Sequence, residues 1–359
     1  MAIIFFGCVS QKPPCCTDQE SRSLLAVDSI LLSSREIGIA DINASLNEYG
    51  WFANSGFHFI HREDRDFLAF VASNHTDLII QDIFNGEVTK VDMGKWLERK
   101  YRYNLLIQND TIHIINADKF TYAAIQFDTG FRVQEIYRFD LKEYLSVSGY
   151  FLNSHVFIDK KIAFTYPYLV IPYGKTGRHN GMDDKLSLRF DVVRRSVKKM
   201  FKYPQKYYSC DIQDPYPILS GTSDGRVIAA YMKDNTLFEL DVDHATSTTR
   251  DSVRFNSQYM CYDRSLADNL AYTNKFDLND ECNVNLITTN SAIILIKDLR
   301  RDRKTEPLRT AILVFKNDFK CIGTFFPGEH LDSRLIFPYK NGILAINSQR
   351  TKGYHYEIP

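Results

Sequence analysis

One unit recurs along the chain: an apolar run, a short turn of Asp, Asn, Lys, Arg or Gly, and a second apolar run. It appears in "FHFIHREDRDFLAFVAS" from Phe57, "YNLLIQNDTIHIINAD" from Tyr103 and "SHVFIDKKIAFTYPYLVI" from Ser154. It appears again in "PILSGTSDGRVIAAYM" from Pro217, "NLITTNSAIILIKD" from Asn285 and "RLIFPYKNGILAINSQ" from Arg334. Each reads as a β-hairpin, since polar turn residues between two strand-like runs specify tight reversal. The last is hinged on Asn341-Gly342, a pair suited to a two-residue turn with positive φ at both positions. The 25 Phe and 21 Tyr fit this reading, because aromatic side chains suit a pleated, half-buried surface.

A second hairpin follows five of the units. "TDLIIQDIFNGEVTKVDM" turns at Asn85-Gly86 and "YAAIQFDTGFRVQEIYRF" turns at Asp128-Thr129-Gly130. "KLSLRFDVVRRSVKKMF", "TLFELDVDHATSTTRDSVRF" and "TAILVFKNDFKCIGTFFP" complete the set. Five modules of four strands, spaced about 45 to 70 residues apart, match the period of β-propeller blades. The sixth has three strands, ending in "GYHYEI". A blade cannot bury both faces alone, and an open ring leaves an unpaired edge. The missing outer strand must therefore come from "SLLAVDSILLSS" or "REIGIADI" near the N-terminus. The chain is expected to be all-β: a six-bladed β-propeller of four-stranded antiparallel blades, closed by an N-terminal strand joining the C-terminal blade. An irregular β-sandwich or a pair of β domains is the competing arrangement. "MGKWLERKYR" and "FDLKEYL" are expected to form short turns between blades.

The first residues, "MAIIFFGCVSQKPPCC", resemble the end of a bacterial lipoprotein signal, in which the Cys after a small residue is lipidated. Cys8 is the candidate. Residues 1–20 are thus expected to be signal and tether, and 21–359 one propeller domain. With this tether, the Tyr/Phe/Asn/Asp-rich blades and stretches such as "WFANSGFHFIH" and "YLVIPYGK", the chain resembles the β-propeller lipoproteins of Bacteroidota. That resemblance covers nearly the whole chain. It implies a propeller anchored in the cell envelope, facing the periplasm or the cell surface, and it implies no reaction, because the family has none assigned.

Charge and motifs exclude several functions. The net charge is zero, which gives no reason to expect a nucleic-acid partner. The seven cysteines follow no metal-ligand spacing. Cys321 reads as a small buried apolar residue, while Cys210, Cys261 and Cys282 lie in loop-like stretches where two could pair. "GTSDG" satisfies the G-x-S-x-G pattern of a nucleophile elbow, but it sits between two strands and reads as a hairpin turn. His58 and His61 are three apart, a spacing that puts them on opposite faces of a strand and does not chelate a metal. No cofactor is expected.

Three loops stand out. "YGKTGRHNGMDDK" joins the second and third strands of blade three and carries Lys175, Arg178 and His179. The equivalent loop of blade five carries Arg300, Arg301, Arg303 and Lys304, and that of blade six carries Arg350 and Lys352. Such loops and the links between blades lie together at one end of a propeller, and loops carry function more often than their scaffold. The long link 254–282, with Tyr259 and Tyr262, belongs to the same end. The sequence therefore points to a basic, loop-rich face that binds an anionic glycan, peptide or protein partner. The other reading is a hydrolase or lyase acting on carbohydrate or peptide in the central channel. A cluster of carboxylates or imidazoles at the channel mouth would distinguish it.

Overall fold

Six four-stranded antiparallel sheets carry the hairpin units. The computed structural model describes residues 29–52, 56–98, 103–108, 110–116, 118–119, 121–141, 150–151, 162–172, 174–175, 187–200, 217–222, 224–231, 236–244, 246–252, 281–299 and 309–359. Blade one consists of Phe57–Arg62, Arg65–Val71, Asp77–Asp82 and Val88–Asp92. Blade two is Tyr103–Gln108, Thr111–Asn116, Thr121–Phe127 and Val133–Asp140. Blade three is Ala163–Thr165, Tyr168–Pro172, Ser187–Asp191 and Ser196–Met200. Blade four is Pro217–Gly221, Val227–Tyr231, Thr236–Asp241 and Thr246–Ser252, and blade five is Glu281–Thr288, Ala292–Leu299, Arg309–Lys316 and Cys321–Phe325. Blade six takes Leu331–Tyr339, Gly342–Asn347 and Lys352–Glu357 from the chain's end, and its outer strand is Ser34–Gly38. The ring is thus a six-bladed β-propeller closed by the N-terminal strand, with Arg35 paired to His355 and Ile37 to Gly353.

Alternation explains why the second and third strands read as unbroken apolar runs. In blade five, Ala292, Ile294 and Ile296 pack toward blade six. Ile293 and Leu295, between them, pack toward blade four. Both faces of a strand are buried, so no polar phase is left. An outermost strand such as Val133–Asp140 alternates instead, with one side in solvent. The core is accordingly six separate apolar layers, one between each pair of neighbouring blades.

Side-chain caps repeat with the blades. Asn74, Asn116 and Asn347 each accept two backbone N–H groups in the turn between second and third strands. Asp82, Asp128, Asp191 and Asp241 do the same after the third strand. Short Asx side chains satisfy turn donors that no ladder reaches.

Three local expectations need correction. The last hairpin turns at Lys340-Asn341, and Gly342 is already paired in the next strand, opposite Tyr339. Lys340 has φ 48° and Gly342 lies outside the positive-φ set. Gly342 is required by close approach: a Cβ there would stand 1.9 Å from the Tyr356 carbonyl oxygen. In blade three the first turn is Tyr166-Pro167, inside the run read as one strand, and Ala163–Thr165 is the innermost strand, while residues 152–161 lie outside the described residues. Proline has no N–H to continue a ladder, so the chain reverses there. Finally, the residues after the closing strand form a helix, Ile42–Tyr49. Asp41 caps its N-terminus by accepting from the Asn43 N–H at 2.9 Å. Gly50, at φ 66°, ends it. Among the described residues no helix is long and apolar enough to cross a membrane.

Between blades two and three, His113 is fully buried and its Nδ1 lies 2.8 Å from the Tyr122 hydroxyl. Burial lowers its pKa from 6.5 to about 4. The unfolded chain therefore binds a proton first as pH falls. Stability is complete above about 6.5 and declines between there and about 4, by roughly 3 kcal/mol for this one group. Urea unfolding from pH 7.5 to 4.5 should show the decline, and a His113→Phe variant should flatten it.

Candidate functional site

Chain direction fixes which loops share an end of the ring. Each innermost strand starts from an inter-blade link, and every neighbour within a blade is antiparallel. Links and second-to-third-strand loops therefore gather at one end, and the remaining turns at the other. A short ribbon illustrates this: Tyr150–Phe151, in the link from blade two to blade three, pairs with Gly174–Lys175, where the blade-three loop begins.

Of the residues singled out in the loops, Lys175 lies in that ribbon. Arg178, His179, Tyr259, Tyr262, Arg300, Arg301 and Arg303 lie outside the described residues, as do Cys8, Cys210 and Cys261. Cys282 lies second in the innermost strand of blade five, paired opposite Asp298. Cys321 is half-buried against the layer between blades four and five. The G-x-S-x-G stretch is a turn: the Gly225 N–H donates to the Thr222 carbonyl, and the Thr222 N–H to that of Arg226. His58 is buried and His61 exposed, on opposite faces of their strand.

Arg350 sits in the second-to-third-strand turn of blade six with φ 60°. Its Nε and Nη2 donate to Oδ2 of Asp332 at 3.3 and 3.1 Å. Arg334 donates to the same carboxylate, Nε to Oδ1 at 3.0 Å and Nη2 to Oδ2 at 3.1 Å. Asp332 is the first-strand residue that reaches this turn, and its side chain is only 7% exposed. Burial alone would raise its pKa, but hydrogen bonds from Arg334 and the charges of Arg334 and Arg350 outweigh it and hold the carboxyl below the ordinary range.

Aromatic rings floor this charged trio. The Arg334 guanidinium stands 4.9 Å from the Trp51 ring centroid, and that of Arg350 stands 6.0 Å from Trp51 and 5.9 Å from Phe57. Trp51 and Phe57 stack at 4.5 Å. The buried indole N–H of Trp51 makes no hydrogen bond among the described residues. The helix ties the turn down, with Asn43 Nδ2 donating to the Gln349 carbonyl at 2.7 Å. Two guanidiniums on one carboxylate, over an aromatic floor, give this patch one more cation than anion. Sequence reasoning found Arg350 but missed Asp332, Arg334 and Trp51. Their juxtaposition depends on ring closure, which brings residue 51 beside residue 350.

The chain has distant neighbours among solved structures. No family model matches it, and no curated protein matches it. Among solved structures it resembles a putative exported protein of Bacteroides fragilis, with 8% identity and a TM-score of 0.49 over 93% of this chain and 97% of that one. It also resembles the allergen Mala s 1 of Malassezia sympodialis, with 8% identity and a TM-score of 0.48 over 92% and 97%. A third is a calcium-binding protein, regucalcin, of Agrobacterium tumefaciens, with 13% identity and a TM-score of 0.45 over 85% and 89%.

Proposed function

We propose that the protein is a non-catalytic binding module whose loop-bearing end engages an anionic glycan, peptide or protein segment. The observation that carries this reading is the Arg334–Asp332–Arg350 trio on the Trp51 and Phe57 rings. A guanidinium held against an aromatic surface is pre-ordered for carboxylate, sulfate or phosphate oxygens. The blade-three and blade-five loops extend the same charge sign in the sequence, through Lys175, Arg178, Arg300, Arg301, Arg303 and Lys304. In this reading the module is held at an envelope membrane through Cys8, facing the periplasm or the cell surface. Tyr259 and Tyr262 add contact area at the same end.

Retention on immobilised heparin or polygalacturonate at graded salt tests the idea. Joint Arg178→Glu, Arg300→Glu and Arg350→Glu substitution should weaken binding at least about tenfold near physiological ionic strength. Equal retention of variant and parent, or no salt-dependent retention of either, overturns the proposal.

A further inference from the structure

The chain has two tryptophans, and both stand in links that enter neighbouring blades at the loop-bearing end. Trp51 precedes blade one, and Trp96 lies between blades one and two. Around Trp96 the arrangement seen at Trp51 is built again from different residues. The Trp96 indole N–H donates to Oε2 of Glu135. Arg138 Nη2 donates to the same oxygen at 3.0 Å, and Lys95 Nζ lies 3.5 Å from it. The Lys95 ammonium stands 5.1 Å from the Trp96 ring centroid. Arg138 also donates to the Lys95 carbonyl at 3.4 Å, which ties the outer strand of blade two to the link. That strand runs toward this end, since its last residue, Asp140, pairs with Thr121, the first of the third strand.

Each patch shelters its carboxylate and presents its cations. The Glu135 side chain is 26% exposed, against 64% for Lys95 and 41% for Arg138. Asp332 is likewise less exposed than Arg334 or Arg350. Burial alone would raise the Glu135 pKa, but the Trp96 hydrogen bond and the charges of Arg138 and Lys95 outweigh it and lower it. At neutral pH each patch therefore holds two cations on one ionised carboxylate, with the cations outermost. The link beyond Trp96 goes on in the sequence through Arg99, Lys100 and Arg102, which lie outside the described residues.

Packed aromatic groups join the two patches. The Phe52 ring, next to Trp51, lies 3.9 Å from the His75 ring and 6.0 Å from that of Tyr103, the first residue of blade two. Phe52 and Trp96 both pack on the layer between blades one and two. The separation of the patches is thus set by the sheets. One excess cation near a surface binds a small anion weakly. A chain with anions along its length reaches both patches, and its second contact is intramolecular. Two rigid points at a fixed distance suit a stiff chain, which gives up less freedom on binding than a flexible acidic peptide.

We infer that one linear acidic glycan lies across blades six, one and two, with carboxylate or sulfate groups on Arg334 and Arg350 at one point and on Lys95 and Arg138 at the next. This rests on the binding function proposed above and adds to it a second contact and a minimum length of partner.

Heparin oligosaccharides of increasing length, from disaccharide to dodecasaccharide, test it on the full chain near physiological ionic strength. Affinity should rise in a step of at least about tenfold at the length that reaches both patches. Joint Lys95→Glu and Arg138→Glu substitution should abolish the step and leave disaccharide affinity within about threefold of the parent. Joint Lys316→Glu and Lys320→Glu substitution makes the same charge change in a turn at the other end of the ring and should keep the step. In Trp51→Phe the remaining tryptophan reports on its own patch, and the dodecasaccharide should shift its emission. The inference is overturned by a step that survives in the Lys95 and Arg138 variant, by equal loss in the Lys316 and Lys320 variant, or by unshifted Trp96 emission. A step with poly-glutamate and none with heparin also overturns it, in favour of an acidic peptide. In each of these cases binding itself persists, whereas absence of binding at every length overturns the proposed function as well.

Discussion

A chain beginning at Asp41 should fail to form the closed ring. It lacks a twelve-residue strap, 29–40, that touches three blades. Ile30 N–H donates to the Thr324 carbonyl of blade five, Glu357 N–H of blade six donates to the Ser33 carbonyl, and Ala40 N–H donates to the Ile83 carbonyl of blade one. Between these points the strand pairs with Lys352–Glu357. Leu32 is buried in the layer between blades five and six, and Ile37 and Ile39 pack in the layer between six and one. Burying these three side chains contributes roughly 4–6 kcal/mol, and removal also leaves a bare strand edge. Domains have total stabilities of only about 5–15 kcal/mol. The shortened chain should elute as soluble aggregate and show no cooperative urea transition. A synthetic 29–40 peptide added in excess should restore the monomer and the transition. A shortened chain that unfolds cooperatively, within about 1 kcal/mol of the parent, would contradict the closure.

The second large effect is expected at Gly342. Alanine there sets a methyl carbon 1.9 Å from the Tyr356 carbonyl oxygen, 3.0 Å from its carbon and 3.1 Å from Glu357 Cα. All three atoms are backbone, so no side-chain rotation relieves the overlap. The second and third strands of blade six must separate where Gly342 pairs with Glu357. Overpacking of this kind costs about 3 kcal/mol or more, measurable as a lower urea midpoint. Gly328→Ala, where no atom lies within 4 Å of the added carbon, should stay within about 0.5 kcal/mol. Gly342→Asn separates the two explanations of this glycine. A turn needing positive φ would tolerate Asn, whereas steric contact would make it as damaging as Ala.

The architecture was legible because the hairpin unit is local. Apolar runs and turn residues within some twenty positions specify each pair of strands, and the three-stranded remainder at the chain's end demanded a donor. Errors arose where two local signals compete. Asn341-Gly342 has the composition of a hinge, yet Gly342 answers to a carbonyl fourteen residues away. The helix was signalled by Asp41 and Gly50, a cap and a stop, but its short apolar pattern was outweighed by the strand-like residues before it.

Sites were less legible than strands for a physical reason. The Asp332 cluster needs Trp51, which stands against Arg334 and Arg350 from the far end of the chain. No spacing rule connects positions whose only neighbourhood is created by ring closure. The basic character of the loops could be read because charge composition is additive, while the carboxylate engaging Arg350 could not, because it depends on a long-range contact.

Closure by the chain's own beginning also has a mechanical consequence. If the protein is tethered through Cys8, any tension on that tether enters the ring through the strap before it reaches another blade. Pulled along its axis, the strand from Ser34 to Gly38 loads its five paired positions together. Pulled sideways, it unzips one position at a time from Ser34. The direction of drag would then decide whether the ring holds or opens.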